Sequence, residues 1–211
     1  MPDVDLGELG TLLRGEFDAK NGAREIGLSS SRTAIRSCAN AIRALHRYEA
    51  DRADALLTEA KAALDEARTA LKPHPELLHA GFVHDAEKEF AEARITHALI
   101  LDRPFPSIDE VAVPPAAYAK GMAEAIGEVR RHLLDQMRRG ELKRCEELLS
   151  AMDEMYYLLT SMDYPDGITL GLRRLTDVAR SIIERTRGDF TTSSIQSSLR
   201  DALERRMSEE S

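Results

Sequence analysis

Residues 116–138, AAYAKGMAEAIGEVRRHLLDQMR, show most directly which kind of fold the chain adopts. The stretch follows Pro114 and Pro115 and ends just before Gly140, a residue typical of helix C-termini. Within it, apolar side chains recur at helical spacing and share one face at 100° per residue. These side chains are Tyr118, Met122, Ile126, Val129 and Leu133. The segment therefore predicts a helix to about Arg138.

The composition extends this prediction to the whole chain. Of 211 residues, 28 are Ala and 26 are Leu, against 6 Val and no Trp. Ala and Leu favour helices, whereas β-branched and aromatic residues favour strands. An interior proline costs a helix about 3 kcal/mol, so the proline-free stretches bound the long helices. We predict an all-α bundle of about seven helices with no sheet. The expected helices run to about residue 47 and over 51–71, 75–101, 116–138, 141–162, 168–187 and 191–207, with the longest loop at 104–115 and a turn at 163–167.

Length, charge and cysteine content limit the class of protein. The chain is long enough to bury a core and has no linker rich in Gly, Ser or Pro, so we expect one domain over residues 1–211. With 29 Lys and Arg against 37 Asp and Glu, the net charge of −8 argues against binding duplex DNA over the whole surface. Two distant cysteines, Cys38 and Cys145, exclude a disulfide framework. Neither has neighbours that would stabilise a thiolate, so we expect both to be small buried residues. Without a signal peptide or a long apolar run, the sequence predicts a cytoplasmic protein that does not enter a membrane.

Paired glutamates are the first candidates for chemistry, because the sequence has no P-loop, dinucleotide-binding glycine motif or His-Glu-x-x-His zinc motif. Glu89 and Glu92 are neighbours at i, i+3 on the third predicted helix. Glu124 and Glu128 are neighbours at i, i+4 on the fourth. Like charges at these spacings destabilise a helix by about 0.2–0.5 kcal/mol, so each pair is either solvated or stabilised by a cation. Oxygen ligands would suit Mg²⁺ or Mn²⁺, although spacing alone favours the solvated face.

Four arginines on the first predicted helix are the second candidate. They lie within an arc of about 60° and form what we call the arginine stripe: Arg32, Arg36, Arg43 and Arg47. A row of guanidinium groups with no acid between them suits the phosphates of a nucleic-acid strand. The alternative, equally supported by the sequence, is a solvent face whose acidic partners come from another helix.

Charges on the sixth predicted helix follow a different pattern. They alternate in sign along one line: Arg173, Asp177, Arg180, Glu184 and Arg187. Such alternation favours salt bridges within the helix over a nucleic-acid surface.

Several short motifs, taken together, resemble the translin/TRAX family of all-helical proteins of single-stranded nucleic-acid metabolism. Residues 89–93, EFAEA, resemble the Glu-Tyr-x-Glu-Ala element of TRAX. Residues 118–128 resemble its Tyr-x-x-Gly-x-Ala-Asp-x-x-Gly-Glu element, with Glu124 in place of the Asp. Residues 163–174, DYPDGITLGLRR, are similar to the tail of prokaryotic members. The first helix carries further matches in the TRAX order: Phe17-Asp18-Ala19, Arg24-Glu25, Ser31-Arg32 and Leu45-His46-Arg47.

This resemblance implies both a fold and an activity. It implies a translin-like α-α superhelix of seven helices whose copies form a homo-oligomer, a hollow octameric shell. For TRAX-type subunits it implies Mg²⁺-dependent endoribonuclease activity on single-stranded RNA. The implied metal and catalytic positions are Glu89, Glu92, Glu124 and Glu128, and the arginine stripe would bind the RNA.

The sequence leaves two other functions open. Translin-type subunits, by resemblance, bind RNA or DNA without the full set of four acids. The first alternative is therefore a non-catalytic oligomer that binds single-stranded RNA or single-stranded DNA. The second is a helical scaffold that assembles but binds no nucleic acid.

Overall fold

The structure, a computed structural model, describes residues 5–209, and its regular elements in that range are all α-helices. The predicted all-α class is confirmed. None of the helices in this range is sufficiently long and apolar to cross a membrane. Six helices are long, whereas α3, α5 and α8 are single turns of four residues. In chain order the helices are α1 (Leu6–His46), α2 (Ala50–Leu71), α3 (Pro75–Leu78), α4 (Gly81–Ile100), α5 (Ile108–Val111), α6 (Pro115–Arg139), α7 (Leu142–Thr160), α8 (Asp166–Thr169) and α9 (Leu172–Glu209).

The sixth and seventh predicted helices form one continuous helix, α9, so the predicted break after residue 187 is wrong. A single interior glycine, here Gly188, costs only about 1 kcal/mol relative to Ala. Tertiary contacts on both sides of it hold the helix together. Arg130 of α6 donates hydrogen bonds to Thr186 Oγ1 (2.8 Å) and to Asp189 Oδ2 (2.9 Å).

Two short elements also differ from the prediction. The helix expected over 75–101 is divided into α3 and α4, with α4 beginning at Gly81. The loop expected over 104–115 contains the single turn α5, which a capping box holds at its start. Ser107 Oγ accepts a hydrogen bond from the Glu110 N–H (3.2 Å), and Glu110 Oε2 accepts one from the Ser107 N–H (2.6 Å). Local hydrogen bonds of this kind satisfy backbone N–H groups where the segment is too short for a long helix.

The chain divides into two compact units, and the division falls inside α4, between Phe90 and Ala91. In the first unit α1 packs against α2. The turn between these two helices includes Tyr48 in a left-handed conformation (φ 63°). Their contact is lined by small side chains, all 0% exposed: Ala34, Cys38, Ala41, Ala53, Ala60 and Ala67. Because these side chains are short, the two helix axes can approach closely.

In the second unit α6, α7 and α9 pack around one hydrophobic core. The predicted apolar face of α6 lies in this core, where Met122, Ile126, Val129 and Leu133 are at most 2% exposed. The other two helices contribute Leu148, Met152, Leu159, Leu172, Ile183 and Phe190. The face predicted from helical spacing is therefore confirmed.

Both cysteines are free thiols and 0% exposed, as the sequence predicts. Burial raises the pKa of the Cys145 thiol to about 11, so this group remains protonated at neutral pH. Since the thiolate is the reactive form, Cys145 serves as a small core residue.

Candidate metal centre

The first part of the candidate metal centre lies on α4. Phe90 and Ala93 are buried, at 2% and 0% exposed. Glu89 and Glu92 lie beside this buried face and are half-buried. Their i, i+3 spacing places the two carboxylates one turn apart on the same side of the helix.

The second part lies on α6. On the side of α6 opposite its main apolar face, two very small residues, Ala117 and Gly121, are also buried. Glu124 and Glu128 share this side and are both half-buried. They are therefore not on the solvated face that spacing alone favours.

The structure brings three of the four predicted acids together. One carboxylate oxygen each from Glu89, Glu92 and Glu124 lies within 4.8 Å of the other two. Glu92 and Glu124 both belong to the unit that begins at Ala91, and Glu89 precedes Glu92 by one turn of the continuous α4. Glu128 is not in this group, and its role as a ligand stays a prediction. Three converging carboxylates fit a hard divalent cation such as Mg²⁺ or Mn²⁺, which binds oxygen ligands.

A lysine that the sequence analysis did not single out contacts this group. Lys88 Nζ lies 3.0 Å from Glu89 Oε1, and the two side chains are 15% and 26% exposed. Its only sequence signal is its place immediately before Glu89, in a segment rich in charge. Helical spacing does not distinguish such a lysine from one that lies on the surface.

The segment that connects α4 to α6 is fixed near the start of α6. Tyr118 Oη donates a hydrogen bond to the Pro106 carbonyl oxygen (2.5 Å). Burial, with a smaller contribution from the charge of Glu110, raises the pKa of the Tyr118 phenol, so it remains protonated and can donate. The hydrogen bonds from Ser107 lower the pKa of the Glu110 carboxyl, which keeps the capping box ionised. These contacts hold the first turn of the helix that carries Glu124.

All four residues of the arginine stripe are exposed, three of them on α1 and Arg47 directly after it. Arg36 donates to Thr33 Oγ1 (3.2 Å) and Arg43 donates to Asn40 Oδ1 (2.6 Å). Across residues 5–209, no arginine of the stripe has a carboxylate oxygen within 4.0 Å. The acidic partners that the alternative interpretation requires are therefore not found in the part of the chain that the structure describes.

The alternating charges on α9 are partly a ladder within the helix. Arg180 Nε lies 2.9 Å from Glu184 Oε1, as the spacing predicts. Arg187 instead pairs with Asp153 of α7, at 2.7 Å. This part of α9 thus uses its charges for salt bridges, both within the helix and to its neighbour.

The fold is that of the all-helical C3PO structures. A structure of AfC3PO in complex with duplex RNA has a TM-score of 0.82 and 29% sequence identity, covering 88% of this chain and 96% of that one. A crystal structure of AfC3PO has a TM-score of 0.81 and 29% identity, covering 88% and 97%. Apo-NeC3PO has the same fold at a TM-score of 0.77 and 19% identity, covering 92% and 98%. The chain is thus a C3PO-type helical protein.

The protein MJ0175 of Methanocaldococcus jannaschii, itself uncharacterised, is 31% identical over 188 residues, which cover 88% of this chain and 83% of that protein. No protein-family model matches the chain. The C3PO structures are of translin/TRAX type, and their similarity extends over 88% of this chain. The resemblance seen in the motifs is confirmed.

Proposed function

We propose that this protein is a Mg²⁺-dependent endoribonuclease that cleaves single-stranded RNA. The observation that carries the proposal is the approach of Glu89, Glu92 and Glu124 to within 4.8 Å. These are three of the four positions that the TRAX resemblance implies as metal ligands. The group is half-buried, where carboxylates interact with a cation more strongly than in bulk water.

The residues have separate roles in this proposal. Glu89, Glu92 and Glu124 would hold the cation, with Glu128 one turn further along α6. When bound, Mg²⁺ polarises a phosphoryl oxygen and lowers the pKa of an attacking water. The arginine stripe binds phosphates along the strand, since guanidinium groups form charge-assisted hydrogen bonds to phosphate oxygens.

RNA as the ligand is supported by AfC3PO, whose structure in complex with duplex RNA is similar to this chain. The resemblance to TRAX favours a single-stranded substrate, whereas the RNA in the AfC3PO complex is a duplex. The assay therefore compares three substrates: single-stranded RNA, duplex RNA and single-stranded DNA. Faster cleavage of single-stranded RNA is the expected result.

A homo-oligomer, the octameric shell of the family, is part of the same proposal. Large apolar side chains are exposed in both units. On α1 these are Leu6, Leu9, Leu12, Leu13 and Phe17, and on α9 they are Ile195, Leu199, Leu203 and Met207. Exposed apolar faces on long helices are typical of protein–protein contacts. Sedimentation velocity of the purified protein checks this, and a monomer would contradict it.

Cleavage of an end-labelled single-stranded RNA tests the activity. We expect cleavage with Mg²⁺, no cleavage with EDTA, and loss of cleavage with retained RNA binding in the double variant Glu89→Gln, Glu124→Gln. The matched control is the double variant Glu59→Gln, Glu146→Gln, which removes the same charge from exposed positions on α2 and α7. The control should cleave at the wild-type rate.

The non-catalytic alternative predicts a different outcome. If the wild-type protein binds RNA but cuts it with neither Mg²⁺ nor Mn²⁺, the protein is a nucleic-acid-binding oligomer and the endoribonuclease proposal is wrong. If it binds no nucleic acid at all, the scaffold interpretation holds. A cytoplasmic location stays a prediction from the sequence.

A further inference from the structure

Lys88 is a poorly hydrated cation in contact with the candidate metal centre. Its side chain is only 15% exposed, whereas that of Lys61, in a salt bridge with Asp65 on α2, is 37% exposed. Removing an ammonium group from water is costly unless a carboxylate compensates it. Glu89 is such a carboxylate, at 3.0 Å from Lys88 Nζ.

Lys88 lies where it would compete with a bound metal ion. The carboxylate of Glu89 belongs both to the ion pair with Lys88 and to the group of three converging acids. A divalent cation held by this group and the ammonium of Lys88 would therefore compete for the same carboxylate, that of Glu89. A flexible four-carbon stem allows a lysine ammonium to move between partners without a change in the backbone.

We propose that Lys88 is a further functional residue of this site and that it exchanges partners when the metal binds. Without metal, its ammonium group neutralises Glu89. With metal bound, the ammonium group binds a non-bridging oxygen of the RNA phosphate and stabilises the negative charge that develops during cleavage. Lys88 acts through its positive charge alone, and no proton or bond is transferred to or from it. This inference rests on the proposed function.

The competition between Lys88 and the metal is tested by measuring Mn²⁺ binding without RNA. Electron paramagnetic resonance detects the free Mn²⁺. In Lys88→Met the competing ammonium group is absent, so we expect Mn²⁺ to bind several-fold more tightly than to the wild type. Lys61→Met is the matched control, since it removes a lysine from a salt bridge outside the site, and its Mn²⁺ affinity should not change. Weaker Mn²⁺ binding by Lys88→Met would overturn the inference, because a lysine that only supports the local structure would have that effect.

The role of Lys88 at the RNA phosphate is tested by cleavage of single-stranded RNA at saturating Mn²⁺. We expect Lys88→Met to cleave about 10²-fold more slowly, as for the loss of other groups that stabilise transition-state charge. Lys88→Arg, which keeps the positive charge, should recover part of the rate. Unchanged cleavage by Lys88→Met would overturn the role at the phosphate. Thermal melting identifies a misfolded variant, and Lys88→Gln then replaces Lys88→Met in both assays.

The wild-type protein separates failure of this inference from failure of the proposed function. If the wild type binds no Mn²⁺, the metal centre itself is wrong, and the role of Lys88 falls with it. If the wild type binds Mn²⁺ and cleaves RNA while Lys88→Met behaves identically, only the role of Lys88 is wrong.

Discussion

Gly27 shows how a single atom limits the packing of α1 against α2. A Cβ built at this position would lie 2.6 Å from Leu71 Cδ1 and 2.8 Å from Leu71 Cγ. Leu71 is 0% exposed, so its side chain has little room to move. The close approach of the Leu71 side chain therefore requires a glycine at position 27, although the backbone there is helical and unstrained.

We predict that Gly27→Ala lowers the free energy of unfolding by about 1–3 kcal/mol, the usual cost of overpacking a core. Gly22→Ala on the same helix is the control, since a Cβ there meets nothing within 4 Å. That change should raise the free energy of unfolding by up to about 1 kcal/mol, because Ala is the better helix former. Urea denaturation measures both. Equal effects at the two positions would contradict the packing described for α1 and α2.

At the scale of elements, the continuity of α9 is the largest difference between prediction and structure. The helix passes through Gly188, where a Cβ would meet nothing within 4 Å. The hydrogen bonds from Arg130 of α6 to Thr186 and Asp189 lie between distant parts of the chain. Helix propensity, a local property of the sequence, contains no information about these hydrogen bonds. They offset the free-energy cost of a glycine inside the helix.

We predict that Gly188→Ala raises the free energy of unfolding by up to about 1 kcal/mol and that Gly188→Pro lowers it by about 3 kcal/mol. These are the values expected inside a continuous helix. Gly140→Ala is the contrast, because Gly140 ends α6 with a φ of +80° and an alanine there should cost about 1–2 kcal/mol. Chemical denaturation of the three variants gives the comparison. A tolerated proline at position 188 would mean that α9 is broken there.

At the scale of the whole molecule, the arginine stripe is the part of the proposal that depends on ionic strength. Its guanidinium groups have no carboxylate within 4.0 Å in residues 5–209, so they can neutralise phosphates of a bound strand. Each phosphate neutralised on a single strand contributes about 0.7 to the slope of log K against log salt. The salt dependence of RNA binding therefore counts these contacts.

We predict that the double variant Arg36→Ala, Arg43→Ala weakens RNA binding and lowers this slope by about 1–1.5, while the assembly state stays unchanged. The double variant Arg174→Ala, Arg185→Ala is the control, since it removes the same charge from exposed positions on α9. Fluorescence anisotropy of labelled RNA at several salt concentrations provides the slopes. An unchanged slope in the first variant would show that the stripe does not contact the strand.

The amino-acid sequence alone was enough to predict the all-α class, the apolar face of α6, the buried cysteines and the candidate acids. These depend on periodicity and residue type, which are local properties of the chain. The folded structure was needed to show that Glu124 of α6 approaches Glu89 and Glu92 of α4, because the distance between side chains on different helices depends on how those helices pack. The same structure shows that α9 continues through Gly188 and that Lys88 is shielded from water beside Glu89. Those outcomes depend on burial and on partners distant in sequence, which no local pattern contains.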